Sequence, residues 1–335
     1  MKFCSRCVLP ETFPGIAFDD SGVCNFCLAF MGEQRHEDQQ KQYRIKFEKL
    51  IEELKGKYEY DCLLPYSGGK DSTYTLYLLK EEFKLRVLAV TLDNGFISEQ
   101  ALKNIRSVTE TLGVDNLIFK PDFQILRKIF AAGVEKEMYS AKALERASTI
   151  CNSCIAFVKF TALKTALEKQ IPIMAWGWSP GQAPLRSSVM KMTSGLFMST
   201  QEMYRKPMHE IVGDAINHYF ISEEQFKNAK AFPWNVNPLA FMEYNEQKIL
   251  NKIPEFGWVN PKSLDSNTTN CLLNSFANSV HLQRHNFHPY AFEIAGMVRT
   301  GAMTRDEGMA KLYTKADDLS TVDTVIAKLG LAKRI

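Results

Sequence analysis

The residues best placed to do chemistry are Ser67-Gly68-Gly69-Lys70-Asp71-Ser72. They lie between the apolar run Leu63-Leu64-Pro65-Tyr66 and the pattern Thr73-Tyr74-Thr75-Leu76-Tyr77-Leu78-Leu79. The first run suits a strand covered on both faces, and the second suits the opening turns of a helix. Gly68 and Gly69 let the backbone approach a ligand with no Cβ in the way. Ser72, Thr73 and the amides before them fall where the helix starts, and free N–H groups at a positive dipole end favour an anion. Lys70 adds a cation beside it. The stretch reads as a phosphate cradle. A Walker loop needs four residues between its glycine and Gly-Lys-Ser/Thr, and a dinucleotide fingerprint needs Gly-x-Gly-x-x-Gly. This stretch has neither spacing.

In order and setting, Ser-Gly-Gly-Lys-Asp-Ser resembles the PP-loop of the ATP pyrophosphatase superfamily, whose members cleave ATP to AMP and pyrophosphate. The resemblance implies ATP with Mg²⁺ as ligand. Ser67, Gly68, Gly69, Lys70 and Ser72 would hold the pyrophosphate, and Asp71 would position the magnesium or the loop. It further implies an adenine site at the end of the following strand, where Thr91 and Asp93 fall. The bland alternatives are a Gly-Gly turn in an ordinary α/β protein and a solvated strand end.

The eight cysteines are clustered. Cys4-Ser5-Arg6-Cys7 and Cys24-Asn25-Phe26-Cys27, sixteen residues apart, form a ribbon-type four-thiolate pattern. Each Cys-x-x-Cys turn aims two sulfurs at one point, and two turns complete a tetrahedron around zinc. So short a segment cannot bury its own core, so the metal would supply its folding energy. A redox pair and a second cluster site are the alternatives. Cys62, inside the first strand, reads as a small buried hydrophobe. Cys151-Asn152-Ser153-Cys154 and the distant Cys271 offer three thiolates. That number fits a [4Fe–4S] cluster with one open iron, or a persulfide-carrying pair with Cys271 as resolving thiol. An inert metal site or buried packing thiols are the plainer readings.

The elements that must hold these residues follow from periodicity. Gln39 to Lys57 reads as a charged helix with Phe47, Leu50, Ile51 and Leu54 on one stripe. Strands are expected at Arg86 to Leu92, Leu117 to Lys120 and Ile171 to Gly177, with helices at Ser98 to Thr111, Phe123 to Tyr139 and Ile155 to Lys169. Gly177 and Gln182, at and beyond the last strand end, suit a wall of the nucleotide pocket. Such alternation predicts an α/β fold, a doubly wound parallel sheet. The expected organisation is a zinc ribbon over 1–35, a linker helix over 36–57, a nucleotide-binding domain over 58–185 and a mainly helical C-terminal region over 186–335. In that last region Met190, Met192, Phe197, Met198 and Met203 read as packing or a mobile cover. Phe232-Pro233-Trp234 reads as turn-rich. His281, His285 and His288 read as helix-surface or substrate-contact residues rather than a metal site. Thr304 and Glu307 read as a capping box, and Asp317 to Ile335 as an amphipathic helix.

The chain has 335 residues, 45% of them apolar, and a net charge of +3, too small to argue nucleic-acid binding from charge alone. No apolar run approaches membrane-spanning length, and Met1 leads directly into a cysteine motif. A cytoplasmic protein with no membrane partner is expected.

Two families then suggest functions. Cys151-x-x-Cys154 with a distant Cys271, downstream of the loop, is similar to the cluster-dependent PP-loop tRNA thiolation enzymes. There an open iron holds the sulfide that attacks an adenylated carbonyl, and a lysine follows the second cysteine, for which Lys159 is the counterpart. Cys4-x-x-Cys7, Pro14-Gly15-Ile16, Phe18-Asp19, Gly22-Val23-Cys24, Cys27 and Val298-Arg299-Thr300-Gly301-Ala302-Met303-Thr304-Arg305-Asp306-Glu307 resemble the N-acetyl sugar amidotransferases. Those adenylate an acetamido group of a nucleotide-linked sugar and take ammonia from a glutaminase subunit. The leading expectation is an ATP-dependent sulfurtransferase acting on a small-molecule carbonyl or a nucleobase, with tRNA as a further acceptor and a sulfur donor protein or sulfide as partner. A homodimer is compatible with it. The amidotransferase is the second expectation. A zinc-ribbon binding protein with a vestigial nucleotide site is the third.

Overall fold

Six short strands form one sheet in the order β3-β2-β1-β4-β6-β5, in a computed structural model that describes residues 1–261, 270–314 and 320–331. They are β1 (Cys62–Pro65), β2 (Val87–Leu92), β3 (Asp115–Phe119), β4 (Ile173–Ala175), β5 (Val189–Lys191) and β6 (Trp234–Val236). All neighbouring pairs are parallel except β5 with β6. The sheet is therefore mostly parallel, with one antiparallel edge strand.

Side chains alternate along the strands into two apolar layers, as pleating requires. Leu63, Leu88, Val90 and Met174 face a core built with the helices Phe123–Glu135, Thr149–Glu168 and Leu273–His285. Cys62, Leu64, Val87, Ala89 and Ile173 face the other layer, which holds helices Glu33–Leu54, Lys70–Tyr77 and Glu99–Leu112. Cys62 is the fully buried small hydrophobe its position suggests. Both faces are covered, so the sheet is doubly wound.

The sheet does not stop where periodicity placed a boundary. β5 and β6 lie beyond residue 185 and extend it by two strands. Phe232-Pro233 leads straight into β6, where a turn-rich segment was expected; three residues are too few to show a period of two. Thr149–Glu168 begins earlier than its apolar pattern suggests, because the Ser148 side chain accepts a hydrogen bond from the Cys151 amide and caps it. This helix is long and apolar enough to cross a membrane, yet 50% of that stretch is buried inside the molecule.

The N-terminal cysteine segment has its own small core. Val8, Leu9 and Phe13 pack with Phe287, Ile294, Ala295 and Met297 from the far end of the chain. Thr304 and Glu307 form the expected capping box on Arg305–Met309. Of the tail helix, Ser320–Leu329 is described; Asp317 and the terminal Ile335 lie outside the described residues, as do 267–269 upstream of Cys271.

Candidate active site

Strand β1 delivers the chain into the glycine turn, where Tyr66 is fixed by its amide to Val90 O at 2.9 Å. Gly68 takes φ +72°, and a Cβ there would meet Ala101 O at 2.7 Å. Its carbonyl accepts from Trp258 Nε1 at 2.9 Å. The helix Lys70–Tyr77 then starts with Ser72 Oγ 3.0 Å from both Gly69 O and Ser67 Oγ. The loop, its opening amides and the two serine hydroxyls border a cavity of about 380 Å³. This is the strand–turn–helix arrangement that the residue order implied, with the geometry an anion site requires.

Lys70 reaches Asp71 at 2.8 Å, Tyr244 OH at 3.3 Å and Glu246 at 3.8 Å. Burial works against its charge, but the neighbouring Asp71, Tyr244 and Glu246 outweigh it and hold the amine above its ordinary range. Lys311 pairs with Glu246 at 2.7 Å from the opposite wall. The loop cation is thus preorganised by carboxylates that a polyphosphate would compete with.

Gly177 and Gln182 both line this cavity. Gly177 is needed for another reason as well: a Cβ would sit 2.4 Å from Ser72 Cα. Gln182 Oε1 accepts from the Ser179 amide at 2.9 Å and closes its own turn. The side chains of Thr91 and Asp93 are engaged within the strand end. The Thr91 hydroxyl is fully buried and donates to Tyr66 O at 2.8 Å, while Asp93 accepts from the Gly95 amide and pairs with Lys120 at 3.5 Å. Neither side chain borders the loop cavity.

The three distal cysteines come together. Cys151, Cys154 and Cys271 line one hollow of about 260 Å³, which also carries Ser67, Ser72, Gly177, Trp178, Asn270 and Tyr290 of the loop cavity. Cys151 and Cys154 share the first turns of a helix, and Cys271 is held by a bridge to Ile97 beyond β2. Burial and the nearby Cys271 and Cys151 push the Cys154 thiol up to about 12, against a donation from Asn94 at 3.3 Å. The buried Asn274 Nδ2 has no hydrogen-bond partner among the described residues, although its Oδ1 faces Cys151 and Tyr290. Three half-buried thiols and an unspent donor fit a sulfur-bridged group. Lys159 does not join them; its helical position turns it toward a different cavity.

Cys4, Cys7, Cys24 and Cys27 place their sulfurs within 4.8 Å of one another, all buried. Amides of Cys7 and Cys24 donate to Cys4 Sγ at 3.4 and 3.2 Å. Burial notwithstanding, these amides draw the Cys4 thiol down to about 7. All eight cysteines are free of disulfides. This is a closed four-thiolate site of metal-binding geometry.

The histidines form no such group among the described residues. His281 is buried against Phe287 rather than on the helix surface, His285 pairs with Glu137, and His288 Nδ1 accepts from the Tyr290 amide. Sequence reasoning missed Tyr244, Glu246, Tyr290, Glu293 and Lys311, which come from three separate C-terminal segments and share no motif.

The sequence profile of the phosphoadenosine phosphosulfate reductase domain matches residues 61–187, spanning β1, the glycine loop and the Gly177 turn. Residues 61–187 are a PP-loop domain of the ATP pyrophosphatase superfamily. An uncharacterized protein of Methanocaldococcus jannaschii is 24% identical over 314 residues, covering 92% of each chain. Among solved structures, the tRNA thiolase NcsA from Methanococcus maripaludis, described with its [4Fe–4S] cluster, is similar with a TM-score of 0.36 at 17% identity, over 100% of this chain and 99% of that one. The NH₃-dependent NAD synthetase of Campylobacter jejuni reaches 0.35 at 13% identity, over 83% and 96%. The match over residues 61–187 supports an enzyme with an ATP-using domain.

Proposed function

We propose that the chain is a cytoplasmic, AMP-forming sulfurtransferase that adenylates a carbonyl oxygen and replaces it with sulfur. The observation that carries this reading is the continuity of the PP-loop cavity with the hollow of Cys151, Cys154 and Cys271. ATP lies with its β- and γ-phosphates on the loop amides, Lys70 and the Ser67 and Ser72 hydroxyls, its Mg²⁺ assigned to Asp71. The acceptor's carbonyl oxygen attacks the α-phosphorus, and the bond to pyrophosphate breaks. Lys70 stabilises the charge that develops on the leaving group. A sulfide equivalent then attacks the carbonyl carbon, the C–O bond to AMP breaks, and a thiocarbonyl remains. The three thiolates have the number and placement to hold a [4Fe–4S] cluster, which when bound supplies an open iron site for that sulfide. The closed four-cysteine site suits structural zinc.

A second reading, an amidotransferase using ammonia, is favoured by one contact. Arg305, in the C-terminal segment that resembles those enzymes, donates to Cys4 O and Cys7 O of the segment that shares the resemblance. One experiment separates the two. Protein purified without oxygen should hold about four irons and one zinc per chain, and Cys151→Ala should lose the iron and all sulfide-dependent AMP formation. Full turnover of Cys151→Ala with ammonia would replace sulfur transfer by amidation. Absence of pyrophosphate release with every acceptor would leave only a binding protein.

A further inference from the structure

Beside the PP-loop cavity lies another of about 370 Å³, bordered by Arg146, Asn152, Ile155, Lys159 and Tyr204, that neither the ATP loop nor the cysteines use. It shares Trp178, Gln182 and Glu293 with the loop cavity, so a molecule seated here has a route to the phosphates. On the far side of Lys159 and Trp178 a third hollow, also about 370 Å³, is walled by Met190, Met192, Leu196 and Phe197. The methionine-rich stretch is therefore a wall of this space.

The polar groups here are few, and their partners are unequal. Lys142 is paired with Glu145 at 2.6 Å. Arg146 donates one N–H to Gln182 O at 3.0 Å and lays its guanidinium over Phe292 at 4.7 Å. Glu293 accepts from Ser179, and its second oxygen is buried with no partner among the described residues. Lys159 has ring faces only: its Nζ is 5.3 Å from the centroid of Trp178 and 5.6 Å from that of Tyr204. No carboxylate pairs with it among the described residues. Burial pushes its amine down to about 8. A desolvated ammonium with no counter-ion is costly unless a ligand brings the charge that offsets it.

We infer that this cavity is the acceptor site and takes an anionic small molecule. A phosphate or carboxylate is held between Arg146 and Lys159, a ring or apolar portion lies on Trp178, and the reacting carbonyl passes Glu293 toward the loop. The inference rests on the adenylating reading of the neighbouring cavity. The volume suits a small molecule, and a bound anion would offset the burial that lowers the Lys159 amine.

The test is a fluorescence titration of the full chain with 1-naphthyl phosphate, 1-naphthoate and uncharged 1-naphthol, each with and without saturating ATP. At least one anion should bind about tenfold tighter than naphthol, and which of the two does so names the anion. Lys159→Met should lose that preference, Lys159→Arg should keep it, and ATP should leave the affinity within about twofold. Equal binding of all three probes, no binding, an unchanged Lys159→Met variant, or displacement by ATP would each overturn the proposal. The titration reads no turnover, so a failure of pyrophosphate release would sink the catalytic reading alone. Cys151→Ala should bind the probes as the unaltered chain does, which keeps the two proposals separable.

Discussion

Glu293 shows how much chemistry one position can carry. It borders both the PP-loop cavity and the acceptor cavity, and burial pushes its carboxyl from the ordinary 4.5 up to about 7, against the donation from Ser179. A carboxyl with that pKa near neutral pH is suited to take or give a proton as the acceptor reacts. The same shift has a consequence for stability. Between about 4.5 and 7 the folded chain holds this proton and the unfolded chain has lost it, so the Glu293 contribution to stability falls as pH rises through that window. The full effect is on the order of 3 kcal/mol. Thermal melts from pH 4.5 to 7.5 should show the Glu293→Gln variant losing this slope. Parallel curves for the two proteins would mean the carboxyl titrates normally.

At the scale of elements, the active site depends on how closely strand β4 approaches the helix Lys70–Tyr77. Gly177 follows β4 with its Cα against the Ser72 backbone, so there is no room for a methyl group. Gly177→Ala must push the strand end and the loop helix apart. Overpacking of this kind costs about 1–3 kcal/mol. The same displacement opens the gap between Ser67 and Ser72, whose hydroxyls meet at 3.0 Å on the wall of the loop cavity. ATP titration of Gly177→Ala should therefore show weakened binding together with a lowered melting temperature. Wild-type ATP affinity in a destabilised variant would separate the packing role from the ligand role.

For the molecule as a whole, the two ends of the chain form one structure. The cysteine segment shares its core with Ala291–Arg299, and Arg305 is bound to the Cys4 and Cys7 carbonyls. Helix Ala291–Arg299 carries Glu293, Ile294 and Met297 into the PP-loop cavity. The N-terminal cysteine segment thus supports a wall of the PP-loop cavity that is distant in sequence, and a metal held by its four thiolates would stabilise that wall. Chelation should raise amide exchange in Ala291–Arg299 and Arg305–Met309 together with residues 4–27, while β1 and β2 keep their protection. Exchange confined to residues 4–27 would show that the ribbon is an independent unit.

The sequence by itself determined the local chemistry. Ser67 to Ser72 read as a phosphate cradle because a phosphate needs a glycine turn, free amides and a cation in consecutive positions. Cys4, Cys7, Cys24 and Cys27 are legible because two Cys-x-x-Cys turns suffice to build the site. The strands β1 and β2 and the long helices were legible through their apolar periods. Only the tertiary structure decided which distant residues meet. It joined Cys271 to Cys151 and Cys154 through a bridge to Ile97, and gave Lys159 to a separate cavity. It spent Thr91 and Asp93 on the strand end, added β5 and β6 to the sheet, and brought Tyr244, Glu246, Glu293 and Lys311 to the loop. Residues within one turn leave a pattern in the sequence because backbone geometry fixes their spacing. Residues brought together across the core are related only by packing, which imposes no spacing on the chain that supplies them.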